Sequence, residues 1–329
     1  MAEKRSIREL EKQIEELKKL SKKEGVDLGD AIDTLESEVR GMLERSNQIS
    51  GDDDWEKVSI ARHVKRPHTL DYLNFIMEDY YELSGDRIFG NDQAIITALA
   101  QFEGRTVMVI GHQKGRTAEE NHIRNSGMPH PEGYRKAQRA MDLAERFGFP
   151  IFCLIDTPGA YPGIGAEERH IGGAIAESIY KLTQVKVPVI VVVIGEGGSG
   201  GALAIGVGDR VMMMENAIYS VISPEGCASI LWRDRDKAPE AARAMKITAK
   251  HLLKLNVIDE IVPEPLGGAQ RDAEAAAQNL KKALLDQLTE IGSIHPDELL
   301  ELRYERLQAL GIFEELGEVV ETTEIVEGS

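Results

Sequence analysis

At 329 residues the chain can bury one large core or two ordinary ones, and its 42% hydrophobic and 29% charged content is that of a soluble globular protein. A formal charge of −17 leaves no basic excess to displace phosphate counterions, which argues against a nucleic-acid partner. The two cysteines, Cys153 and Cys227, form no CxxC pair and cannot build a four-cysteine zinc site. There is no N-x-[ST] sequon, no signal-like start and no apolar run near the ~18 residues of a membrane span, so a reducing cytoplasm and no membrane partner are expected.

The first fifty residues read as a helical hairpin. Ile7, Leu10, Ile14 and Leu17 form one narrow apolar seam, and Leu28, Ile32, Leu35, Val39 and Met42 form another, separated by "KEGVDLGD". "GDDDWEKVSIARHVKRP" (51–67) reads as a linker, and Thr69 to Leu83 as a helix with Leu70, Leu73, Ile76, Met77 and Tyr80 on one side. "AIITALAQFEGRTVMVIGHQKG" is a strand pair about a turn at Glu103-Gly104. A polar loop follows from Arg116 to Pro129, then a helix opened by Pro131, since proline is tolerated where the first amides lack acceptors anyway.

Further along come a strand at Ile151–Ile155, the loop "DTPGAYPGIGAEERH", a helix over Gly172–Leu182 and a strand over Val187–Ile194. The glycine cluster beyond it leads through a short apolar helix, about Gly201–Val207, to strands at Arg210–Met214 and Ala217–Ile222. "SPEGCASILW" is a short helix capped by Ser223 with Pro224 at its first position. "TAKHLLKLNVIDEIVPEP" is a helix running into a last strand, residues 268–310 are largely helical, and "EELGEVVETTEIVEGS" reads as a disordered acidic tail. Alternating strands and helices define an α/β class, and the two paired-strand groups point to successive ββα units.

"GEGGSGG" (195–201) admits three readings. Gly195, Gly197 and Gly200 fit the dinucleotide pattern G-x-G-x-x-G, and Glu215 lies twenty residues beyond the first. The following helix is short, however, and carries Gly206 and Gly208, and the motif comes late in the chain. Gly197-Gly198-Ser199-Gly200-Gly201 also fits the nucleophile elbow G-x-S-x-G, but no histidine sits in a recognisable partner motif. The remaining reading takes the glycines as amide donors. A strand feeding a helix leaves unpaired N–H groups, glycines let an oxygen approach them, and one such donor is typically worth roughly 10²–10³ in rate. No Walker A run exists to accompany "DTPG" at Asp156–Gly159, and no HExxH or HxxxH pair suggests a metal site.

Six blocks in order, "GHQKGR" (111–116), "MPHPEGYRKA" (128–137), "IDTPGAYPGIGAEER" (155–169), "GEGGSGGALAIGVGD" (195–209), "YSVISPEGCASILW" (219–232) and "PEPLGG" (263–268), resemble the alpha-subunit family of acetyl-CoA carboxylase carboxyltransferases of bacteria and plastids. The likeness runs over about residues 3–312. It implies a crotonase-like (ClpP/crotonase) spiral of ββα units behind an N-terminal helical hairpin. The expected division is a hairpin at 1–50, a carboxyltransferase domain at 51–295, a C-terminal helix at 296–313 and the tail at 314–329.

The resemblance further implies transfer of carboxyl from carboxybiotin, held on the biotin carboxyl carrier protein, to acetyl-CoA. The product is malonyl-CoA, at the first committed step of fatty acid biosynthesis. Expected partners are a carboxyltransferase beta subunit in an α2β2 assembly, which would carry the zinc, and biotin carboxylase. Carried over by position, Gly200 and Gly201 would supply oxyanion-hole amides, and Gly197, Gly198, Gly200 and Gly201 would contact carboxybiotin. The biotin ureido group would itself take the methyl proton, which suits the lack of a dedicated base in the sequence. Two rivals stand beside this reading. One is a free-standing crotonase-type hydratase or isomerase, which needs a carboxylate acid/base; the other is a scaffold subunit without chemistry.

Overall fold

The computed structural model describes residues 2–24, 27–50 and 53–310. The 314–329 tail lies outside them. Helices α1 (Ala2–Glu24) and α2 (Gly29–Ser50) pack against one another through Ile7, Ile14 and Val39, flanked by Leu10, Ile32, Leu35 and Met42. Their seams therefore cover each other, as amphipathic faces must.

The stretch expected as a linker contains a helix, α3 (Asp54–Ala61), with the Asp53 side chain accepting a bond from the Trp55 amide. Val58 and Ala61 bury themselves on Ile218, Ala242 and Ile247 far along the chain, which explains why local composition did not disclose the helix. The next helix, α4 (Thr69–Ile76), stops seven residues earlier than expected. Asp79–Glu82 forms β1 instead, paired antiparallel with β2 (Ile95–Phe102). β2 turns at Glu103 and Gly104, both at positive φ, into its antiparallel partner β3 (Arg105–His112).

The loop expected after β3 holds a one-turn helix, α5 (Ala118–Ile123), and a 3₁₀ turn at Asn125–Gly127. Then come α6 (Pro131–Phe147), β4 (Ile151–Thr157), α7 (Ile164–Glu168), α8 (Ile171–Gln184) and β5 (Val189–Gly198). The chain continues through α9 (Ser199–Leu203), β6 (Arg210–Met214), β7 (Ile218–Ser220), α10 (Pro224–Trp232) and α11 (Ala238–Met245). It closes with α12 (Ala249–Lys254), β8 (Glu260–Val262), α13 (Ala273–Ile291) and α14 (Pro296–Gln308). Ser223 caps α10 as expected, accepting from the Gly226 amide at 3.1 Å.

One sheet runs in the order β1-β2-β3-β4-β5-β6-β8, parallel from β3 onward, with β7 beside the far end of β5. Every residue of β4 and β5 is buried, as expected for strands covered on both faces. β2–β3–α6 is a ββα unit, and β6–β7–α10 is another. Because β4 and β5 are parallel, their carboxyl ends open on the same side, where α/β sheets place their ligand crevices.

Candidate active site

A cleft of about 580 Å³ opens at those strand ends. Its floor is the passage from β5 into α9. One wall is the loop from Pro158 to Pro162, and the other is the stretch from Ser220 to Ser223 that follows β7. Gly198, Ser199, Gly200 and Gly201 line it; Gly197 does not.

The glycines differ in what they do. Gly197 and Gly198 are strand residues, because the last three residues of β5 change partner and pair with Ile218, Tyr219 and Ser220 of β7. A β-carbon on Gly198 would lie 2.1 Å from the Pro158 carbonyl oxygen, and one on Gly197 would lie 2.8 Å from Tyr219 Cδ2. On Gly201 it would meet the Ala160 nitrogen and the Gly159 carbonyl carbon, both at 2.4 Å. Close packing accounts for these three. At Gly200 the nearest atom to such a carbon is Ile175 Cδ1 at 3.8 Å, so packing places no demand for glycine there. Gly200 and Gly201 stand in the first turn of α9, where backbone amides have no intrahelical acceptor.

The other two readings of the motif find no partners. Ser199 has φ +53, the strained turn of a nucleophile elbow, yet no histidine lines the cleft. His112 is fully buried, and burial pushes it down to about 4. Glu215, the acid of the dinucleotide pattern, is not a cleft residue and accepts a bond from the Glu264 amide at 3.1 Å. The crossover helix of that pattern is a five-residue turn.

Beneath the glycines lies a chain of buried charges that sequence reading did not assign. Asp156, at the end of β4, accepts from Lys114 Nζ at 2.7 Å and from the Glu196 amide at 3.0 Å through Oδ1, and faces His68 Nδ1 at 2.8 Å through Oδ2. Burial alone would raise Asp156, but Lys114 and His68 hold it well below the usual carboxylate range. Burial likewise opposes the charge on Lys114, and Asp156 and Glu196 together raise it above its ordinary value. Glu196 has both oxygens engaged, one by Arg62 Nε at 2.7 Å and one by Lys114 Nζ at 3.3 Å. Lys114 and Asp156 stand inside the quoted blocks "GHQKGR" and "IDTPG", which was the one signal available; Arg62 sits in the supposed linker and gave none.

A family model described as acetyl co-enzyme A carboxylase carboxyltransferase-like matches residues 1–311. The chain is similar to the acetyl-coenzyme A carboxylase carboxyl transferase subunit alpha of Methylococcus capsulatus, with 54% identity over 309 residues, 94% of this chain and 96% of that protein. The protein of the same name from Thermus thermophilus is 53% identical over 309 residues, 94% and 97% of the two chains. Among solved structures, a Pseudomonas malonate decarboxylase hetero-tetramer in complex with coenzyme A superposes with a TM-score of 0.58 at 17% identity, over 73% of this chain and 94% of that one. The transcarboxylase 12S gives 0.57 at 20% identity over 71% and 44%. At such identities these two speak for the fold, which is crotonase-like.

Proposed function

Because the chain belongs to the acetyl co-enzyme A carboxylase carboxyltransferase-like family, we propose that its cleft is the alpha-subunit half of a carboxyl transfer site that makes malonyl-CoA from acetyl-CoA. The relatives are carboxyl transferase alpha subunits by name, and near-complete coverage of both chains carries the reading. Biotin, brought in on a separate carrier protein, would supply the carboxyl group.

The residues present fit such a guest. Gly200 leaves open space where a side chain would stand, and the first-turn amides of α9 have no helical acceptor to claim them. Two amides at one oxygen stabilise charge that grows there during reaction, and because they are fixed beforehand they need no reorganisation. Gly197 and Gly198 act in this reading by holding the turn rather than by touching a ligand.

This half-site would need a partner. No imidazole lines the cleft, Glu196 is doubly paired, and Glu167 is exposed at the rim. Val221, which lines the cleft, exposes an apolar side chain, and so do Ile230 and Leu231 on the face of α10, the helix that follows that wall. We assign that face to the beta subunit, and the zinc to that subunit too; among the described residues no group of three or more His, Cys, Asp or Glu could hold a metal ion. Among the described residues no helix is long and apolar enough to cross a membrane, and we place the enzyme in the cytoplasm. The hairpin of residues 1–50 would serve assembly, and 51–295 would carry the transfer.

The purified chain alone should form no malonyl-CoA from carboxybiotin and acetyl-CoA, and addition of the beta subunit should restore transfer. Robust turnover by the chain by itself would sink the half-site reading. Hydration of a short enoyl-CoA by the chain alone, abolished by Glu167→Gln, would instead establish the hydratase rival.

A further inference from the structure

Arg62 caps the C-terminal end of α3, whose apolar side is docked on Ile218, Ala242 and Ile247. Its guanidinium spans the cleft's base. Nε donates to Glu196 Oε1 at 2.7 Å, and Nη1 donates to Glu225 Oε1 at 2.7 Å. Glu196 is the residue of β5 that precedes the paired glycines, and Glu225 opens α10 just beyond the opposite wall. The two acids therefore stand at either end of the unit made by the β5 terminus, α9 and β7.

Glu196 is held a second time from behind. Its other oxygen meets Lys114, and its amide meets the same Asp156 that anchors Lys114 and His68. The ladder of Gly198 with Ser220 already joins the floor to the start of the opposite wall, and Arg62 adds a side-chain link from Glu196 on to α10. A planar fork can hold two carboxylates at a set separation, whereas a lysine ammonium on its flexible stem can satisfy either one but fixes neither direction.

We infer that Arg62 is a positioning residue, which sets the distance and orientation between the Gly200 turn and the Ser220–Ser223 wall by bridging Glu196 to Glu225. Nothing in this role requires Arg62 to touch a substrate. The inference rests on the reading of that cleft as the transfer site. Misplacement of such a turn by even an ångström acts on the aligned, reacting geometry rather than on ground-state binding.

Two measurements test it. Hydrogen exchange of the 195–204 amides is followed by mass spectrometry in the full chain, and transfer kinetics are measured with the partner subunit. Arg62→Met should speed exchange across 195–204 at least tenfold, leave exchange in β2 and β3 unchanged, and lower kcat at least tenfold with KM for acetyl-CoA within about twofold. Arg62→Lys should recover only part of kcat. Glu225→Gln should reproduce the Met phenotype in weaker form, and the Arg62→Met/Glu225→Gln double variant should be no worse than Arg62→Met. Glu225→Gln removes one arm at a partly exposed position, so it decides the matter if Arg62→Met does not fold. Unaltered exchange in 195–204, wild-type kcat, or strictly additive effects in the double variant would overturn this role. If the wild-type assembly fails to transfer carboxyl at all, the functional reading falls, while the exchange data still decide whether Arg62 holds the turn.

Discussion

Gly200 and Ser199 are neighbours with opposite expectations. A methyl on Gly200 would enter the open cleft without striking the fold, since Ile175 is the nearest atom at 3.8 Å, and alanine is the better helix former. Gly200→Ala should therefore fold and melt like the wild type, yet lose ~10²-fold in transfer rate, the usual worth of one oxyanion donor. Gly201 cannot serve as the parallel test. A β-carbon there strikes the Gly159–Ala160 backbone, and any loss of rate would mix with displacement of the wall. For Ser199 the clean variant is glycine, which accepts φ +53 without strain. Ser199→Gly should retain most of the rate in the assembled enzyme. A silent Gly200→Ala together with an inactive Ser199→Gly would return the hydroxyl to the centre of the chemistry.

At the scale of elements, β5 delivers the glycines and α14 secures the start of β5. Arg303 of α14 is fully buried and donates to both oxygens of Asp209 at 2.8 Å and to the carbonyls of Leu182, Val185 and Val187. Those carbonyls belong to the last turn of α8 and its connection into β5, and Asp209 also accepts from the Val189 amide at 2.7 Å. Arg303→Met would leave a buried carboxylate without its cation and three carbonyls without a donor. The expected loss is ~3–5 kcal/mol, the usual cost of halving a buried pair, read from urea unfolding. Lysine should not rescue it, because one ammonium cannot reach five acceptors arrayed around a plane. A loss below about 1 kcal/mol would mean that α14 is only loosely coupled to the sheet.

Across the whole molecule, Arg66 and Glu264 fasten the segment after α3 to the far end of the sheet. Arg66 donates to Glu264 at 2.6 and 3.0 Å and to the Ile194 carbonyl at 2.7 Å, while Glu264 also accepts from Asn216 and the Ala269 amide. Burial pushes the Glu264 carboxyl up, but Arg66 and Asn216 outweigh it and hold it at about 2. A carboxyl lowered on folding contributes stability that is whole above its unfolded value, near 4.5, and is lost as pH falls toward 2. The shift corresponds to roughly 3 kcal/mol at neutral pH. Wild type should thus be more stable than Glu264→Gln at pH 7, with the gap narrowing between about pH 4.5 and 2 in thermal melts. A gap that is constant over that range would show that the carboxylate's charge is not what matters.

Much of this architecture was legible in the chain itself. Strand periodicity, the glycine cluster at a strand end, the Glu103-Gly104 turn and the Ser223-Pro224 helix start all follow from residues within a few positions of one another, so local sterics and capping are enough to determine them. The six motif blocks likewise indicated the family. What only the tertiary structure decided involves distant partners. Asp79–Glu82 is a strand because β2 offers it a ladder, Gly197 and Gly198 are strand residues because β7 returns alongside them, and α3 is a helix whose apolar side meets Ile218 and Ile247. The link from Arg62 to Glu225 spans 163 positions, and the pairing of Arg66 with Glu264 spans 198. A hydrogen-bond ladder or a buried ion pair forms only where the completed fold brings its members together and removes water, and no local pattern of residues encodes that meeting.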